Sequence, residues 1–232
     1  MIYVASELHG YPLEKFEKLL KNAGFSDDDF LYILGDVIDR GDEGVEILKW
    51  LAFQDNAQLI LGNHEAMMLA CDFLFEEITE DSLAEFSGHR WSSLQNWRRN
   101  GGETTINALS KESQSVRKFI LKYLRSCPLY QEITVGDKKF LLVHSGLGGY
   151  EPNKKMEQYT AMDLLWTRPD LEDVYSQEYT TIFGHTPTGY YGGEYNGRVL
   201  TTPTWIDIDV GCARGLPPVL LRLDDMMEFY GD

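Results

Sequence analysis

Four of the five histidines in this 232-residue chain, His9, His64, His144 and His185, each directly follow a short apolar run. Asp36, Asp39 and Asn63 occupy comparable positions. Acids and imidazoles crowded at one place are costly to bury unless something cationic pairs with them. Imidazole nitrogens together with carboxylate and amide oxygens suit borderline metals such as manganese, iron or zinc. These candidate ligands outnumber what one open catalytic metal needs, and two ions sharing one carboxylate account for them. Cys71, Cys127 and Cys212 lie far apart, which excludes a thiolate zinc cluster and a disulfide framework.

These residues need elements that bring them together. Apolar runs at 2–5, 31–34, 58–61, 140–143 and 180–183 are short, rich in β-branched or aromatic residues, and end at polar or glycine-rich turns. They read as buried strands. Leu13, Phe16, Leu19, Leu20 and Ala23 follow a helical period that Gly24 stops, and Val45, Leu48 and Leu51 suggest a second helix. A β-α-β-α-β order implies parallel strands with right-handed crossovers, and ligands in such sheets sit beyond the carboxyl ends of the strands. Every candidate ligand lies at such an end.

Residues 65–125 read as a helical insertion beside the site, carrying Trp91, Trp97, Arg98 and Arg99. Strands follow at 199–202, 205–210, 219–223 and 226–230, the last two joined by a hairpin turn at Asp224-Asp225. The expected architecture is α/β: one domain over 1–232, with two packed mixed sheets flanked by helices.

The net charge of −16 leaves no basic stripe for a nucleic-acid partner. No run reaches the roughly 18 apolar residues of a membrane span. The first residues lack the basic and apolar regions of a signal peptide, so a cytoplasmic protein is expected.

Gly35-Asp36-Val37-Ile38-Asp39-Arg40-Gly41 fits the pattern GDxxDRG, and Gly62-Asn63-His64-Glu65 fits GNHE. With Glu7-Leu8-His9-Gly10 ahead of them, their order and spacing resemble the PPP serine/threonine protein phosphatases of the calcineurin-like metallophosphoesterase superfamily. His144-Ser145-Gly146 and Gly184-His185-Thr186 look like its downstream histidine motifs, and Leu165-Trp166-Thr167-Arg168-Pro169 resembles the segment with its second phosphate-binding arginine. Trp97-Arg98-Arg99-Asn100-Gly101-Gly102 is similar to a stretch in bacterial members. The resemblance spans roughly residues 1–210 and implies the four-layer metallophosphoesterase fold.

The same resemblance implies roles. Glu7, His9 and Asp36 would hold a first metal; Asp36, Asn63, His144 and His185 a second, with manganese the leading identity and iron or zinc alternatives. Arg40 and Arg168 would grip phosphate, His64 would be the general acid, and Asp39 would orient it. The implied reaction is hydrolysis of phosphoserine or phosphothreonine by direct attack of a metal-bridging hydroxide. Asp39-Arg40 and Glu65 favour that substrate over a dinucleoside polyphosphate or another small phosphate ester. A third reading is a phosphate-binding pseudoenzyme.

The family's first motif is GDxHG, whereas here Ser6 and Glu7 replace its glycine and aspartate. The added methylene, about 1.5 Å of reach, predicts weaker affinity or altered preference at the first metal. Ser145 stands where alanine or glycine is usual, a change expected to matter little. Asp27-Asp28-Asp29 reads as a solvated turn, Cys212 as a small buried residue and His89 as a helix-surface residue.

Overall fold

The computed structural model describes residues 1–75 and 88–232. Strand β1 (Ile2–Ala5) alternates, with Tyr3 and Ala5 facing one way and Val4 the other. Helix α1 (Leu13–Asn22) buries Phe16, Leu19 and Leu20 and ends at Gly24, whose φ of +80° is free for glycine alone. Strand β2 (Phe30–Ile33), helix α2 (Gly44–Ala52) and strand β3 (Ala57–Leu59) complete a parallel β-α-β-α-β unit.

The insertion contains helices α3 (Asn63–Leu69), α4 (Gly88–Arg99), α5 (Glu103–Ser110) and α6 (Gln114–Ser126). Residues 76–87 of the expected segment lie outside the described residues. Ile120, Leu121 and Leu124 of α6 join the core that α1 and α2 form on the first sheet, so much of the insertion is a packing layer. His89 is exposed on α4, as expected.

Strand β4 (Tyr130–Val135) pairs antiparallel with β5 (Lys138–Val143) across Gly136-Asp137. It was not expected from the sequence, because only Ile133 and Val135 alternate with polar neighbours. Helix α7 (Ala161–Leu165), β6 (Thr180–Phe183), β7 (Leu200–Thr201), β8 (Trp205–Asp207), β9 (Val219–Arg222) and β10 (Met227–Tyr230) follow. The last two form the expected hairpin around Asp224-Asp225.

Both sheets are mixed, with strand orders β10-β9-β1-β2-β3 and β4-β5-β6-β8-β7. Val4, Leu34 and Leu221 from the first meet Phe140, Leu142, Ile182 and Ile206 from the second in a shared core. The outer face of the second sheet packs under an irregular segment through Leu147, Tyr159, Leu164 and Tyr175, with only the short α7 in it. β1, β2 and β3 run parallel to one another, as do β5, β6 and β8. Their carboxyl ends open on the same rim. No described helix is long and apolar enough to cross a membrane.

Candidate metal centre

Among the described residues, seven non-glycine residues have positive φ: Glu7, His9, Asp36, Asp39, Arg40, His185 and Met226. All but Met226, which sits in the β9–β10 turn, are candidate site residues. That conformation is disfavoured for a residue with a Cβ and persists only where its surroundings over-determine it. Here the surroundings are backbone bonds between loops. Glu7 N–H donates to Gly35 O (3.2 Å), His9 N–H to Asp36 O (2.9 Å) and Arg40 N–H to Gly101 O (3.1 Å).

Asp36 lies at the centre. Its Oδ2 is 3.7 Å from both His9 Nε2 and His64 Nε2, and its Oδ1 is 3.6 Å from His144 Nε2. Burial alone would raise the Asp36 carboxyl, but the surrounding imidazoles of His144, His64, His9 and His185 outweigh it and hold it well below the usual range. Backbone carbonyls fix the rings. His9 Nδ1 faces Ile38 O at 3.0 Å and His144 Nδ1 faces Leu34 O at 2.7 Å, so each Nδ1 carries the proton and each Nε2 keeps its lone pair toward the centre. Burial lowers His9 to about 3, His185 to about 2, and His144 below its ordinary value, so these rings are neutral at neutral pH.

The donors form two groups, His9–Asp36–His64 and Asp36–His144–His185, with ligand atoms of each within 4.8 Å of one another. Asn63 Oδ1, at the start of α3, is 2.7 Å from His144 Nε2 and extends the second group. His185 Nε2 is buried with no hydrogen-bond partner among the described residues. A buried orphan nitrogen beside a carboxylate, an amide oxygen and a second imidazole is the donor set a divalent cation satisfies.

Glu7 uses its extra length. Its Oε1 accepts the His185 N–H at 2.9 Å, and its Oε2 lies 3.2 Å from His9 Nε2. A Cβ on Gly184 would come within 3.1 Å of Glu7 Cγ and 2.4 Å of Ser6 Oγ, so only glycine leaves room for this pair. Ser6 Oγ is itself buried without a partner.

His64 Nδ1 is 2.6 Å from Asp39 Oδ2, and both side chains are buried. Burial works against the charged imidazolium, but Asp36 and the Asp39 hydrogen bond outweigh it and raise His64 above its ordinary value. Asp39 is further held by the Trp97 indole N–H (2.7 Å, to Oδ2) and the Thr105 hydroxyl (2.6 Å, to Oδ1). Arg40 donates to His9 Nε2 (3.1 Å) and His64 Nε2 (3.2 Å). Arg168 donates to His185 O (3.1 Å) and Thr186 Oγ1 (3.2 Å). Arg40 and Arg168 line one pocket of about 240 Å³ with Glu7, Asp36, Asn63, His64 and His185.

Four further residues belong to this neighbourhood that the sequence did not single out as site residues. Asp209 lines the pocket, and burial followed by the Asp36 charge pushes its carboxyl up to about 7. Arg214 and Tyr190 line the outer pocket wall. The side chain of Ser145, expected to be inconsequential, accepts the Thr167 N–H at 3.1 Å and so pins the segment carrying Arg168. Asp209 follows a strand end as the histidines do, which is the signal that could have found it.

Three further expectations change. Glu65 is fully buried and does not line the pocket. Its oxygens accept the backbone N–H groups of Asp36, Val37, Ile38 and Gly62 at 2.8–3.3 Å, so it shapes the metal loop rather than facing a substrate in the pocket. Asp27 and Asp28 are exposed as expected, but Asp29 is buried, accepting from Ser26 and the Met1 ammonium. Cys212 is half-buried, its thiol 3.5 Å from Leu8 O.

The sequence profile of the calcineurin-like phosphoesterase family matches residues 1–210, and the chain belongs to that family. A symmetrical bis(5'-nucleosyl)-tetraphosphatase of Acidovorax sp. (strain JS42) is 26% identical over 193 residues, covering 80% of this chain and 57% of that protein. One of the same name from Actinobacillus succinogenes is 35% identical over 101 residues, 42% of this chain and 36% of that protein. The chain thus covers less than two thirds of these relatives' length. Among solved structures, one assigned as a diadenosine tetraphosphatase aligns with a TM-score of 0.65 at 15% identity, over 99% of this chain and 91% of that one. A Saccharomyces cerevisiae serine/threonine phosphatase aligns at 0.58 and 16% identity, over 89% and 65%. At these identities the structural likeness is one of fold.

Proposed function

We propose that this calcineurin-like phosphoesterase is a metal-dependent hydrolase whose best-supported substrates are dinucleoside polyphosphates. Glu7, His9 and Asp36 would hold one cation, and Asp36, Asn63, His144 and His185 a second, with manganese the leading identity. When bound, such a pair neutralises phosphoryl oxygens and activates water for in-line attack. The chain's own residues do the rest. Arg40 and Arg168 present rigid guanidinium forks to the equatorial oxygens. Once phosphate draws Arg40 from His64, Nε2 is left to carry a proton to the departing oxygen as the phosphorus–oxygen bond breaks. Asp39 keeps that ring aligned.

The observation that carries the substrate reading is the outer pocket wall. Arg214 lines the same pocket as Arg40 and Arg168, in a chain whose net charge is −16. Three cations in one pocket match several consecutive phosphates better than one. Tyr190, 63% exposed and directly after the His185 loop, offers a ring face on which a nucleobase can stack. The names of the relatives agree with this reading. The buried Asp39–His64 pair favours a second reading, a phosphoserine or phosphothreonine monoester, whose alkoxide leaving group needs a proton most.

The test compares a dinucleoside tetraphosphate, a phosphopeptide and a small aryl phosphate with added manganese. Tyr190→Ala and Arg214→Ala are expected to raise KM for the dinucleotide about tenfold each, the scale of one lost stacking or ionic contact, while leaving the aryl phosphate unchanged. Preferential turnover of the phosphopeptide, or equal effects on all three substrates, would refute the dinucleotide reading.

A further inference from the structure

Asp39 is fully buried, so its orientation rests on its neighbours rather than on bulk solvent. Among the described residues, every donor to its side chain other than His64 comes from one stretch, residues 97–105. Trp97 donates its indole N–H to Oδ2 at 2.7 Å, beside the His64 contact at 2.6 Å. Thr105 is reciprocal: its hydroxyl donates to Oδ1 at 2.6 Å, and its Oγ1 accepts the Asp39 backbone N–H at 3.0 Å.

The stretch between them is moulded to the same loop. Gly101 O accepts the Arg40 N–H at 3.1 Å, and a Cβ on Gly101 would come within 2.7 Å of Arg40 Cγ. A Cβ on Gly102 would come within 2.6 Å of the Trp97 ring. Asp39 and Arg40 are consecutive left-handed residues, both at φ 69°. Two such residues in sequence cost on the order of 1–3 kcal/mol each, and the 97–105 stretch supplies the compensating bonds.

We infer that Trp97 and Thr105 are positioning residues: they fix the Asp39 carboxylate, and through it the His64 ring, at the angle from which the leaving oxygen is protonated. The inference rests on His64 acting as the general acid. The bland alternative is that Trp97, a fully buried ring packed edge-on against Phe75 at 6.3 Å, only fills the core. Core filling explains the burial. It does not explain why the indole nitrogen ends on the carboxylate, or why a threonine from the next helix completes the other oxygen.

Trp97→Phe keeps an aromatic ring and removes the N–H. Thr105→Val keeps the shape and removes the hydroxyl. Each is assayed in the manganese-loaded full chain on aryl phosphates of graded leaving-group acidity. General acid catalysis is worth about 10²–10⁴-fold, and misalignment forfeits part of it, so kcat on phenyl phosphate is expected to fall roughly tenfold. On 2,4-dinitrophenyl phosphate, whose leaving group needs no proton, it should stay within about twofold. Equal losses on every leaving group, tracking a lower melting temperature, would show a merely structural role and overturn the inference.

A second readout needs no turnover. In protein labelled with nitrogen-15 histidine, the His64 Nδ1 proton, assigned with His64→Asn, should resonate far downfield and exchange slowly. Either variant should broaden it through faster exchange with water, and an unchanged resonance in both would also overturn the inference. Wild-type protein inactive on every phosphate ester would instead refute the proposed function, leaving the resonance to report on the clamp alone.

Discussion

Glu7→Gln separates two consequences of placing a glutamate at the first metal motif. In the metal-free protein, burial pushes the Glu7 carboxyl well above its usual range, with the charges of Asp36 and Asp209 adding to it. That shift favours the neutral carboxyl, of which glutamine is the isostere. The amide oxygen can keep the His185 N–H bond of 2.9 Å. Metal-free stability should therefore change by less than about 1 kcal/mol, and the melting temperature by less than about 3 °C. Metal binding is different. A carboxylate gains about 4 kcal/mol per unit of cation charge at 4 Å and an effective dielectric of 20. Part of that is offset by ionising a carboxyl already pushed up. A net loss of about 3 kcal/mol corresponds to roughly a hundredfold weaker Kd. Titration calorimetry with manganese reads the affinity, and its buffer dependence reads the proton that wild-type Glu7 releases and the variant cannot. Unchanged affinity, or a metal-free melting temperature lower by more than about 5 °C, would refute the reasoning. Aspartate at this position is a different perturbation, because retracting by about 1.5 Å breaks the bond to His185.

Glu65→Gln is expected to destabilise the metal-free protein by about 3 kcal/mol, seen as a melting temperature about 10 °C lower, because an NH₂ replaces an oxygen that accepts two buried backbone N–H groups. The pH dependence of metal-free stability is expected to be a balance of opposing contributions. His9, His144 and His185 have folded pKa values depressed by burial, so unfolded imidazoles take up protons as pH falls through about 6.5, which favours unfolding. Glu7, Glu65, Asp207, Asp209 and His64 are raised, Glu65 and Asp209 to about 7, so the folded state takes up their protons at higher pH than the unfolded chain does, which opposes it. His185→Gln removes one histidine contribution and should gain about 2 kcal/mol on wild type between pH 7 and 5, measured by denaturant unfolding; parallel curves would contradict this sign.

How much of this was legible in the sequence depends on whether a contact is local. Gly35-Asp36 and Gly62-Asn63 announce themselves because a strand end, a glycine and a polar residue are consecutive. β1, β2 and β6 match their expected spans closely because their runs are short and bounded by breakers. β4 was missed because its face is half-exposed and its polar residues look like loop. The role of Glu65 was misread for a related reason. GNHE is a contiguous motif, but the partners that explain its glutamate lie 27–29 residues earlier, on another strand's loop. The Trp97–Asp39 bond spans 58 residues and the Thr105 bonds 66, and no periodicity carries information across such gaps.

The left-handed residues explain why these long-range contacts exist. A regular strand-to-helix turn would direct the side chains of Glu7, His9, Asp36 and His185 along the loop and away from one another. Positive φ turns each of them back toward the rim, at a local cost that chain propensity does not offset. The compensation must come from elsewhere in the molecule, and the hydrogen bonds name its sources: Gly35 and Asp36 carbonyls for the first motif, the Glu65 carboxylate for the second, and residues 97–105 for Asp39 and Arg40. The helices of the insertion therefore serve two purposes from one sequence. Their apolar faces cover the first sheet, and the adjoining ends of α4 and α5, with the turn between them, hold the acid pair in a conformation the strand loop would not adopt alone. Convergence of the donors is a property of the whole fold, and a substitution at Gly101 or Trp97, neither of which touches a candidate metal ligand's donor atom, acts on the chemistry through that geometry.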